Sequence, residues 1–95
     1  MAQPLLVKQE VSFQKLQSLA GHPNNKRVGA TVNPENRRKQ YRSDGYTGTF
    51  YYASVQNMKV EEQKLLSCVD SGTCPRNVAR NSNAQEKPGY VYVIQ

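Results

Sequence analysis

No stretch of this chain approaches the roughly 18 consecutive apolar residues that a membrane-spanning helix requires. The run before Lys8 offers only Leu5, Leu6 and Val7, too short for the core of a secretory signal. These two shortfalls lead us to expect an intracellular protein, in cytoplasm or nucleus, with no membrane partner. Apolar residues make up 37 % of the 95 positions, under the usual share of about 45 to 50 %. A chain this short buries only about 60 to 65 % of its unfolded surface. One small core in one domain over residues 1–95 follows, with flexibility expected at 1–10 and within 70–88. Acidic residues are scarce as well, seven against thirteen Lys plus Arg.

The residues that catalysis and metal binding usually need are few. There is no GxxxxGK[ST] loop to cradle phosphates, no HExxH and no GxSxG elbow. The single histidine, His22, sits beside Pro23 in a loop, so any Cys–His or Ser–His pair would have to use it. Glu61 and Glu62 are adjacent on an expected helix and point about 100° apart, a poor arrangement for a shared acid–base site. Cys68 and Cys74 flank a turn-forming Asp70-Ser71-Gly72. Free thiols are the default in a reducing compartment, and a local disulfide is the alternative. A metal site lacks its four ligands. We therefore expect no metal, no cofactor and no catalytic residue.

What the chain does contain is organised. Ser12 is placed to cap a helix from Phe13 to about Ala20, with Val11 and Leu16 as a hydrophobic staple and Gly21 as the stop. Val28, Ala30 and Val32 alternate with polar or small residues, the period of a half-buried strand. Asn33-Pro34-Glu35 opens a second helix to about Arg42, which has no apolar stripe and so no evident core face. Ser43-Asp44-Gly45 reads as a turn. Tyr46 to Ser54 is the strongest strand signal, with Gly48 a candidate bulge. Asn57 is placed to cap a third helix from Met58 to Cys68, with Leu65 and Leu66 in the core. The region from Ser67 to Pro88 is turn-rich, and Tyr90–Ile94 closes as a strand that pairs with one of the earlier two. The expected class is α+β: a small antiparallel sheet of about three strands with two or three short helices.

Charge is concentrated. Lys26, Arg27, Arg37, Arg38, Lys39 and Arg42 face the single acid Glu35 between residues 26 and 42, which accounts for five of the six units of net positive charge. Tyr41 lies inside that cluster, and Tyr46 and Tyr52 follow it. Clustered cations attract phosphate, and nearby aromatics stack on unpaired bases, so the pattern points to RNA or single-stranded DNA. The site residues on this reading are Lys26, Arg27, Arg37, Arg38, Lys39, Tyr41, Arg42, Tyr46 and Tyr52. Replacing Arg37 and Arg38 with Ala should weaken binding with little loss of fold. No RNP1-like, GXXG or helix-turn-helix signature accompanies the cluster. A second reading is a protein-interaction module or small subunit that docks an acidic surface. It includes a homodimer formed by exchange of the Tyr90–Ile94 strand, which would cover an exposed edge.

Two short segments bear on a third reading. Pro88-Gly89-Tyr90-Val91-Tyr92-Val93-Ile94 resembles the first strand of GIY-YIG nuclease domains. Phe50-Tyr51-Tyr52-Ala53-Ser54-Val55-Gln56-Asn57-Met58-Lys59 resembles their second strand and the start of the next helix. They cover under a fifth of the chain and stand in reversed order. The helix arginine of that family is absent, with Glu61 and Glu62 near its place. The resemblance implies a degenerate, non-cleaving relative, with Tyr52, Tyr90 and Tyr92 as the positions that carry over.

Overall fold

The computed structural model describes residues 6–22, 26–68 and 84–95, the side chain of Cys68 excepted. Four strands and three helices alternate: β1 (Leu6–Glu10), α1 (Phe13–Ala20), β2 (Arg27–Thr31), α2 (Pro34–Ser43), β3 (Gly48–Val55), α3 (Met58–Cys68) and β4 (Gly89–Ile94). The strands form one mixed sheet in the order β1-β3-β4-β2. β4 runs antiparallel to both β3 and β2, with Tyr92 opposite Tyr52 on one side and Gly29 on the other. β1 is parallel to β3. The α+β class holds, but the sheet has one strand more than expected, and that strand makes it mixed.

The helices begin where their caps place them. The side chains of Ser12, Asn33 and Asn57 accept hydrogen bonds from the backbone N–H groups of Lys15, Asn36 and Val60 at 3.1 to 3.2 Å. Each satisfies one of the amides that a helix start leaves without a partner. Thr31 fixes the approach to α2: its hydroxyl accepts from Asn33 N–H at 3.1 Å. Gly48 opens β3 with φ +106°, and a Cβ there would run into the carbonyl oxygen of Gln95. It is the first residue of the strand, paired in continuous register with Leu6, rather than a bulge.

Helices cover both faces of the sheet. On one face, α1 and α3 bring Leu16, Leu19, Ala20, Leu65 and Leu66 against Val28, Ala53, Val91 and Val93. On the other, Tyr41 of α2 packs with Leu6, Phe50, Tyr92 and Ile94. The period of two in β2 and β4 divides their residues between these layers.

Residues 6–10 form the edge strand β1, which the sequence reading did not name; residues 1–5 lie outside the described part. Only Leu6 of β1 is buried, and an edge strand with one buried position carries no alternating signature. α2 is held by a core after all. Tyr41, 9 % exposed, anchors it, and Arg38 donates to the Leu6 carbonyl oxygen at 3.0 Å. Finally, β4 is interior and paired on both sides, so Tyr90–Ile94 leaves no exposed edge for strand exchange to cover. Cys74 and most of the turn-rich segment lie outside the described residues; Ala84–Pro88 precede β4 without helix or strand, and the Lys87 carbonyl accepts from Met58 N–H at 3.0 Å.

Candidate functional site

Because α2 lies on the sheet by one side, the rest of its circumference faces outward. Arg37 precedes Tyr41 by one turn and is half-buried beside the sheet. Arg38 points toward β1. Lys39 and Arg42 are exposed. Together with Ser43, Arg38, Lys39 and Arg42 line an open depression of about 350 Å³. Among the described residues, no carboxylate lies within ion-pair distance of Arg37, Lys39 or Arg42.

Arg38 has a different role from its neighbours. Its guanidinium bridges the Leu6 carbonyl oxygen and the Glu35 carboxylate, and its side chain is only 17 % exposed. The other oxygen of Glu35 meets Lys8 Nζ at 2.9 Å. Hydrogen bonds from Arg38 and then Lys8 hold the Glu35 carboxyl down at about 2. This clasp ties α2 to β1, so replacing Arg38 would disturb the helix as well as remove a charge. That corrects the expectation that Arg37 and Arg38 can be exchanged together without cost to the fold.

The remaining expected site residues divide in the same way. Lys26 donates to the Thr47 carbonyl oxygen at 2.8 Å, closing the loop before β3. The Arg27 guanidinium stands 5.9 Å from the Tyr41 ring centroid, within cation–π range. Tyr46 packs edge-on against Tyr41 with centroids 5.0 Å apart. Tyr41 itself is interior, its hydroxyl 2.8 Å from that of Tyr92. It cannot stack on a ligand, which corrects its placement among the stacking residues. Tyr52 is half-buried, with Lys8 Nζ 5.8 Å from its centroid.

Two contributors escape the sequence reading of the basic site. Lys8 sits in the stretch expected to be flexible, and only the fold brings it to Glu35 and Tyr52. Tyr90 meets Tyr52 edge-on at 5.9 Å. The alternation of Tyr90 and Tyr92 was the available signal, because it puts both on the face that α2 shares. Tyr92, one of the positions carried over by the nuclease resemblance, is 2 % exposed. Burial pushes its phenol far above the ordinary range, and Tyr41 beside it adds to the shift.

The charge is therefore one-sided. Lys8, Lys26, Arg27, Arg37, Arg38, Lys39 and Arg42 gather around α2 and its face of the sheet with only Glu10, Glu35 and Asp44 beside them, whereas α1 and α3 carry Lys15, Lys59 and Lys64 against Glu61 and Glu62. Among the described residues no helix is long and apolar enough to cross a membrane. No protein-family model, curated protein or solved structure matches this chain.

Proposed function

We propose that the chain is a non-catalytic binding module for nucleic acid, with the exposed side of α2 meeting phosphates. The observation that carries the reading is the trio Arg37, Lys39 and Arg42. They have no carboxylate partner among the described residues, and their helix packs on a sheet face bearing half-buried tyrosines. Cations without internal partners are available to neutralise phosphates and release counterions. Helix α2 is anchored independently of Lys39 and Arg42, so these two are presented at little ordering cost.

The test is fluorescence anisotropy with labelled oligonucleotides across a salt series, comparing the native chain with Lys39→Gln/Arg42→Gln. Each lost phosphate contact should reduce the slope of log affinity against log salt by roughly 0.7 to 0.9. The variant should bind more weakly with a shallower slope and unchanged thermal stability. Equal affinity and slope in the variant, or no binding by the native chain near physiological salt, overturns the reading. A second reading has one observation in its favour: Lys8 and Arg38 already grip a carboxylate, Glu35, so this surface suits an acidic protein segment too. Capture of such a segment by a chain that ignores nucleic acid would select it.

A further inference from the structure

The aromatic side chains on the α2 face form a chain of contacts, and α2 covers only part of it. Phe50 stacks on Tyr92 at 4.7 Å, and Tyr41 closes over Tyr92 from the helix. Beyond them Tyr52 and Tyr90 are half-buried, with ring centroids 5.9 Å apart and planes at 77°. Two rings set nearly at right angles make a corner. A planar group can lie against the face of one ring while its edge meets the other, an arrangement the aromatic quadrupole favours. Lys8 stands at the rim, 5.8 Å from the Tyr52 centroid, with Nζ held by Glu35.

We propose that the Tyr52–Tyr90 corner receives one unpaired base of a single-stranded nucleic acid. The inference rests on the nucleic-acid reading above and names the form of the ligand. Bases within a duplex have both faces occupied by their neighbours, so only an unstacked base can enter the corner. Tyr41 and Tyr92 take no part, because their rings and hydroxyls are committed to each other. The basic helix α2 packs on the same face of the sheet as the corner, the face shared by Tyr41 and Tyr52.

The chain has no tryptophan, so its intrinsic emission comes from tyrosine and responds directly to a stacked base. The experiment measures binding of a short single-stranded DNA, the same strand carrying abasic sites, and its duplex, by anisotropy and by tyrosine quenching. The native chain should favour the intact single strand over both others by about tenfold. Tyr90→Leu should lose that preference while keeping the native salt slope, and Tyr90→Phe should retain it because the ring remains. Equal affinity for intact and abasic strands overturns the proposal without any variant, whatever the stability of Tyr90→Leu. If Lys39→Gln/Arg42→Gln weakens binding but Tyr90→Leu, folded, leaves single-strand preference intact, the corner is wrong and the α2 reading stands. Absence of binding to any of the three removes both.

Discussion

Tyr41→Phe should destabilise the domain while leaving ligand binding unchanged, and the reason lies in a single buried contact. The hydroxyls of Tyr41 and Tyr92 are 2.8 Å apart, in side chains only 9 % and 2 % exposed. Removing the Tyr41 hydroxyl leaves that of Tyr92 without its partner in a crowded place: a Cβ added at Gly29 would strike the same phenol oxygen. A buried polar group stripped of its hydrogen bond costs about 1 to 3 kcal/mol. For a domain of this size each kcal/mol lowers the melting temperature by about 4 to 8 °C. Tyr92→Phe should cost less, because the Tyr41 hydroxyl it strands lies nearer solvent and Arg27. The double variant removes both groups and should be less destabilised than the sum of the two singles, with a coupling of about 0.5 to 3 kcal/mol. Urea unfolding monitored by circular dichroism gives these quantities, with the slope on urea unchanged. If Tyr41→Phe matches the native chain in stability, or the two losses simply add, the buried pair does not hold α2 to the sheet. If the variant is stable but binds oligonucleotide more weakly, Tyr41 faces the ligand instead.

Two other perturbations probe the anchoring of α2 and β3. Gly48→Ala combines a positive φ with a collision against the Gln95 carbonyl oxygen, and should lose about 1 to 3 kcal/mol of stability in the same urea assay; a neutral result would mean that β3 does not start as described. Glu35 has its folded-state value depressed from 4.5 to about 2, so the stability it contributes is present above the unfolded value and disappears as pH falls from 4.5 toward 2. Melting temperatures from pH 6 to 2 should therefore fall less steeply through that window in Glu35→Gln, and identical acid limbs would exclude the clasp.

The sequence marks helix starts well because capping is local: a Ser or Asn side chain three residues before the amide it accepts from is visible without any fold. It marks β2, β3 and β4 because each buries a row of side chains. β1 is hidden for the complementary reason. Leu6 alone is buried in it, Lys8 and Glu10 lie on the α2 side, and Val7 is 53 % exposed. Its place is set by hydrogen bonds to β3 and by Arg38, both long-range in sequence. Missing β1 also hid Lys8, and with it the reason why Glu35 does not neutralise Arg38 alone.

The positive cluster could be located by counting charges, but its division of labour could not. Along α2, i to i+3 spacing made the Glu35–Arg38 pair foreseeable. Nothing local distinguishes Arg38, turned toward the Leu6 carbonyl, from Arg42, turned toward water. That distinction follows from where Tyr41 sits, because one buried aromatic fixes the rotation of a ten-residue helix. With Tyr41 against the sheet, Arg38 falls beside β1 and becomes structural, while Lys39 and Arg42 remain unpaired by any described carboxylate. Scanning Arg38 would therefore confound helix anchoring with charge. Lys39 and Arg42 separate the two, since their loss alters the field over α2 without disturbing the contacts that hold it.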